Sequence, residues 1–128
     1  MSTKKITFDP DAGVAYPVNL TINTGASFKA NFEVISVANT SFNFTGYTGS
    51  AQMAKSVSIG STSYAVATFN VGFTSAAGGK FNISLGSTDT RSLTEGRYVY
   101  DVLVSSGSTV YRIIDGMILV RPGISSAP

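Results

Sequence analysis

Residues 96–120 read "GRYVYDVLVSSGSTVYRIIDGMILV". Aromatic and β-branched residues dominate, and both suit a pleated, half-buried strand. The "SSGS" at 105–108 is turn chemistry, so the stretch reads as two strands of a hairpin. Three charges interrupt it: Asp101, Arg112 and Asp115. They are an active site, a structural pair, or part of a surface that meets another protein.

The register of the hairpin separates these options. With Ser106-Gly107 as a two-residue turn, Ser105 pairs with Ser108, and counting outward sets Asp101 opposite Arg112. With Gly107-Ser108 as the turn, the register moves by two and Asp101 lies diagonal to Arg112, still on one face. Either way, strict alternation puts Tyr98, Tyr100, Val102, Tyr111 and Ile113 on one face. The other carries Val99, Asp101, Leu103, Val110, Arg112 and Ile114. Asp115 falls on the tyrosine side, where it has no evident role. An exposed ion pair contributes only ~0–1 kcal/mol, so stability explains little of it. Two readings fit the second face: an interface in which the pair sets register, or a half-covered sheet face with a solvated pair.

Just upstream, "STDTRSLTEGRYVYDV" (87–102) predicts one helical turn before the strand. Thr88 or Asp89 would cap it, Leu93 would anchor it and Gly96 would end it. Tyr98 then stands where immunoglobulin-type sandwiches fold a tyrosine hydroxyl back onto upstream backbone, and Tyr100 takes the core position two residues on. The two form a proposed structural corner, which sends the tyrosine face to the core.

Further upstream, period-two alternation repeats and no helical period is sustained. "VNLTIN" points Val18, Leu20 and Ile22 inward, and "SFKANFEV" does the same with Phe28, Ala30, Phe32 and Val34. "AQMAKSVSI" aligns Ala51, Met53, Val57 and Ile59, with Lys55 breaking the pattern. "YAVATFNVGF" aligns Ala65, Ala67, Phe69, Val71 and Phe73, and "KFNISL" aligns Phe81, Ile83 and Leu85. Glycine-bearing turns separate these runs. The expected fold is all-β: an antiparallel, immunoglobulin-like β-sandwich of about eight strands in one domain spanning 1–128. Residues 1–17, with Pro10 and Pro17, read as an extended N-terminal arm, 18–121 as the sandwich and 122–128 as a short C-terminal tail.

Composition narrows the chemistry. Of 128 residues, 43% are hydrophobic and only 12% charged, which suits a surface partly covered by a partner. Nine basic and seven acidic residues give a net charge of +2, too weak for a nucleic-acid footprint. Neither cysteine nor histidine occurs, which excludes thiol nucleophiles, disulfides, Cys/His zinc sites and His-based triads. No cofactor is expected. No run reaches the ~18 apolar residues of a membrane span, and "MSTKKITFDPDAG" lacks the apolar segment of a signal peptide, so folding in a cytosol is expected. The seven acids form no convergent pair for glycoside hydrolysis. "DPDAG" (9–13) lacks the later ligands of a calcium loop and reads as a turn. The N-x-S/T triplets at Asn19, Asn39, Asn43 and Asn82 are glycan acceptors only in a secreted protein. Tyr47, Tyr64, Tyr98, Tyr100 and Tyr111 suit sugar stacking by type, but their alternation points to packing.

Two longer stretches carry a family resemblance: "FNFTGYTGSAQM" (42–53) and "FNISLGSTDTRSLTEGRYVYDVLVSSGSTVYRIIDGMILVRPGIS" (81–125). The informative elements are Phe44-Thr45-Gly46-Tyr47-Thr48 and the spaced set Thr90, Leu93, Gly96, Tyr98, Tyr100 and Asp101. Gly107, Gly116 and the closing Val120 to Gly123 also fit. The pattern resembles small β-sandwich modules of tailed-bacteriophage virion proteins, in particular the N-terminal domain of baseplate upper proteins and related tail or fibre proteins. It covers most of residues 28–124. Family modules usually head a longer chain with fibre or receptor-binding segments, whereas this sequence ends after the module.

The resemblance implies a non-enzymatic, multi-copy structural protein of a virion, assembled in the host cytoplasm, with other virion proteins or further copies of itself as partners. It favours a tail, baseplate or fibre-attachment position. Capsid decoration is the alternative, and a glycan-binding adhesin module is a lesser one. Neither nucleic acid nor membrane is an expected partner. The expected interface is Val99, Asp101, Leu103, Val110, Arg112 and Ile114, assisted by the two termini.

Overall fold

Period-two alternation is realised in nine strands and one short helix in a computed structural model, which describes residues 3–9, 13–55 and 65–122. In chain order the elements are β1 (Thr3–Thr7), β2 (Tyr16–Pro17), β3 (Leu20–Asn23), β4 (Phe28–Ile35), β5 (Thr48–Lys55), β6 (Ala65–Ser75), β7 (Lys80–Leu85), α1 (Ser87–Arg91), β8 (Gly96–Ser106) and β9 (Thr109–Arg121). In β3, β4, β7 and β8 the inward residues are those that alternation selects. Val57, Ile59, Tyr64, Pro10, Gly123 and the rest of the expected tail beyond 122 lie outside the described residues.

The strands form one nearly closed, barrel-like sheet in the order β1-β4-β7-β6-β5-β8-β9-β2, with β3 also on β9. This corrects the antiparallel two-sheet sandwich expected from the sequence. β1 runs parallel to β4, and β2 and β3 run parallel to β9. The reason is the length of β6. Its first half pairs with β5 and its second half with β7, so a single strand carries the sheet around the bend. Aromatic contact then brings the ends of the sheet together. Phe8, just after β1, packs edge-on against Tyr111 of β9 with centroids 5.5 Å apart.

The expected N-terminal arm is corrected too. Residues 3–7 pair with β4, and Ile6 and Phe8 are buried in the core. They join Phe32, Phe44 and Phe81, where Phe32 and Phe81 stack at 5.3 Å and Phe44 meets Phe81 edge-on. Full burial of each such side chain contributes roughly 1.5–3 kcal/mol, so these residues are bound to the sheet by the same force as the rest of the core.

The helical turn forms where the sequence predicts it, but by other means. Gly86 is its N-cap and makes no side-chain bond, while Ser92 ends it. Neither Thr88 nor Asp89 caps it, and Gly96 instead opens β8 with φ +142°. The turn is held from inside by Thr90. Its buried hydroxyl donates to the carbonyl of Ala26 at 2.8 Å, tying α1 to the β3–β4 turn.

The β8–β9 hairpin turns at Gly107-Ser108, with Ser106 opposite Thr109. It adopts the register in which Leu103 faces Arg112 and Asp101 is diagonal to it. Beyond this point β9 bulges. Leu103 pairs with Arg112 but Val102 pairs with Ile114, so Ile113 is an extra residue.

Candidate functional site

The bulge decides which side chains share the outer face of β5, β8 and β9. An extra residue shifts the alternation by one, so Ile113 and Ile114 both point into the core and are fully buried. Ile114 therefore leaves the expected interface. Asp115, expected on the tyrosine side, moves to the outer face, and Met117 and Leu119 follow it.

The ladders then set the outer residues in cross-strand rows. Ser50, Leu103 and Arg112 form one; Gln52, Asp101 and Asp115 the next; Ala54, Val99 and Met117 the third. Ser105 with Val110 lies beyond one end of the set, and Arg97 with Leu119 beyond the other. Val99, Val110, Met117 and Leu119 are 38%, 58%, 42% and 44% exposed, a high share for large apolar side chains on one face. Leu103 is half-buried. A shallow depression of about 600 Å³ lies over the middle rows, between Gln52, Val99, Asp101, Arg112, Asp115 and Met117.

Its charges come from different strands and sit close together. Arg112 Nε donates to Asp101 Oδ2 at 3.2 Å, and both side chains are partly in solvent. Asp101 and Asp115 are direct cross-strand partners. Like charges so placed repel, which Arg112 moderates from one side. This trio has one ion pair and one further carboxylate, all of them partly in solvent. Among the described residues no cluster of three or more His, Cys, Asp or Glu could hold a metal, and no helix is long and apolar enough to cross a membrane.

On the inner side, the two tyrosines of the corner are structural. The Tyr98 hydroxyl donates to the carbonyl of Thr94 at 2.6 Å, four residues upstream. The Tyr100 hydroxyl donates to the carbonyl of Val18 at 2.6 Å. Burial, and secondarily the Asp115 carboxylate, push the Tyr100 phenol well above the ordinary tyrosine value. The hydroxyl thus stays protonated and remains a donor.

Sequence reasoning missed Arg97, Asp115, Met117 and Leu119 as members of the outer face. Alternation with Val99 and Asp101 would have found Arg97. In "IIDGMILVR" (113–121), however, Met117, Ile118, Leu119 and Val120 are apolar in both phases, so alternation does not show which pair faces outward.

No protein-family model and no curated protein matches the sequence. Solved structures that match the chain include the N-terminal domain of phage TP901-1 ORF48, at 12% identity and a TM-score of 0.48, over 94% of this chain and 99% of that one. InlP of Listeria monocytogenes is similar at 12% identity and a TM-score of 0.42, over 84% of this chain and 28% of its own. A family 123 glycoside hydrolase from Clostridium perfringens is similar at 12% identity and a TM-score of 0.38, over 84% of this chain and 23% of its own.

Proposed function

We propose that this chain is a non-enzymatic, multi-copy structural protein of a tailed-phage virion, seated in the tail or baseplate and docking through the outer face of β5, β8 and β9. The observation that carries this reading is the face itself: a regular sheet surface with exposed Val99, Val110, Met117 and Leu119 around a small charged centre. Such a surface suits a partner's sheet or loop better than it suits a reactive small molecule, because it is shallow and its charges are solvated.

The spaced pattern that resembles phage baseplate modules supports the same reading. Thr90 ties α1 to a turn, Tyr98 closes the corner and Tyr100 holds the Val18 segment. These side chains build the fold and leave Asp101 for the surface.

Immunogold labelling of purified particles with an antibody against the chain tests the proposal. Several copies per particle are expected at the tail tip. Label over the shell would instead make the chain a capsid decoration protein, and its absence from purified particles overturns the proposal.

A further inference from the structure

Charge on the outer face is arranged to complement a copy of itself. Along β8 the outward side chains Arg97, Val99 and Asp101 run positive, apolar, negative at alternate positions. Beside them on β9 stand Leu119, Met117 and Asp115. Among the described residues the Asp101–Asp115 doublet is answered by Arg112, through one Nε contact, which leaves the three groups with a net charge of −1. Arg97 is exposed at the opposite end of the same face.

We infer that a second copy of this chain covers the face, related by a two-fold axis lying in the interface along the row of Ala54, Val99 and Met117. Rotation about that axis reverses the strand direction and leaves each strand over its own counterpart. Val99 and Met117 then meet their equivalents in an apolar centre. Arg97 of each copy comes over Asp101 of the other and Leu119 over Asp115, so two identical charge contacts flank the centre, as an isologous interface requires, while Arg112 of each copy comes over Arg121 of the other at the rim, where solvent screens the repulsion. Aligned sheets pack face to face about 10 Å apart, a gap that an arginine side chain spans. Three strands of about ten residues present roughly 500 Å² per copy. That is the low end for a specific interface, and the dimer is accordingly weak and reinforced by repetition in an assembly. The inference rests on the reading of this face as an interface and not on its position in a virion.

Sedimentation equilibrium of the whole chain, from about 10 µM to about 1 mM, should show a monomer–dimer equilibrium. Arg97→Asp and Asp101→Arg, each checked for unchanged far-UV circular dichroism, should weaken self-association at least about tenfold, because each sets like charges face to face. Mixed in equal amounts, the two variants should form a heterodimer as tight as the wild-type dimer, since the swap restores opposite charges at both contacts. A monomer throughout the range overturns the inference. So does a dimer indifferent to both substitutions, or a mixture that fails to associate. A monomeric chain that still labels purified particles leaves the virion role standing and assigns the face to another virion protein. A charge-dependent dimer missing from particles supports the inference and removes only the virion role.

Discussion

Tyr100 and Val18 are joined across 82 residues of chain: the buried phenol donates to the Val18 carbonyl at 2.6 Å. β2 and β3 keep one register along β9, and Val18 and Asn19 interrupt it between them. At the interruption the Val18 amide donates to the Asp115 carbonyl, and the Asn19 side chain accepts from the Met117 amide. The Val18 carbonyl turns inward over Gly116, and Tyr100 satisfies it. Removing the donor alone leaves a buried carbonyl unpaired. Tyr100→Phe is expected to cost about 1–3 kcal/mol in urea denaturation. An unchanged midpoint would mean that water replaces the phenol.

The same phenol sets an alkaline limit. Its folded-state pKa is raised, so the native state holds this proton more tightly than the unfolded chain does. The associated stability is complete below about pH 10, the ordinary tyrosine value, and is lost as pH rises from there towards the folded-state value. Wild-type stability should therefore fall above about pH 10, and Tyr100→Phe should fall less steeply. Parallel slopes in the two proteins would assign the alkaline loss to other groups.

Gly116 and Gly107 are both in the opening stretch but are constrained differently. A Cβ on Gly116 would collide with the backbone carbonyl of Val18, which has no room to yield. Gly107 has open space around it and is constrained only by its φ of +59°. Gly116→Ala is expected to cost about 3 kcal/mol or more, combining overpacking with loss of the Tyr100 bond. Gly107→Ala should cost about 1 kcal/mol. Thermal denaturation of the pair checks the order.

Phe8 tests whether the first strand belongs to the core. It is fully buried against Phe42 and Tyr111. Phe8→Ala should destabilise by about 3–5 kcal/mol, as for other buried phenylalanines. A wild-type urea midpoint in that variant would return residues 3–8 to the role of a dispensable arm.

Arg112 is expected to matter little to stability. Its bond to Asp101 is half in solvent, so Arg112→Ala should change the unfolding free energy by no more than about 1 kcal/mol, and less as salt is raised. A larger loss in chemical denaturation would make the pair a structural support.

Much of this protein is legible in its sequence, because much of it is local. Period-two alternation selects Leu20, Ile22, Phe32, Val34, Phe81, Ile83, Tyr98, Tyr100 and Val102 as buried, and they are. "SSGS" marks the hairpin, and the spacing from Thr94 to Tyr98 suffices for the hydroxyl to reach back. What alternation does not contain is the choice of neighbour. A parallel pairing of β1 with β4, or of β3 with β9, leaves no local trace, since the same apolar face would serve a sandwich equally well. These pairings, the bend carried by β6 and the closure of Phe8 on Tyr111 were decided by long-range packing. So was the membership of the outer face. One extra residue at Ile113 turns Ile114 inward and Asp115 outward. The sequence by itself determined the strands and most of the core. Tertiary structure decided which strands meet and which side chains past the bulge face outward, because pairing energy is shared between segments that alternation describes one at a time.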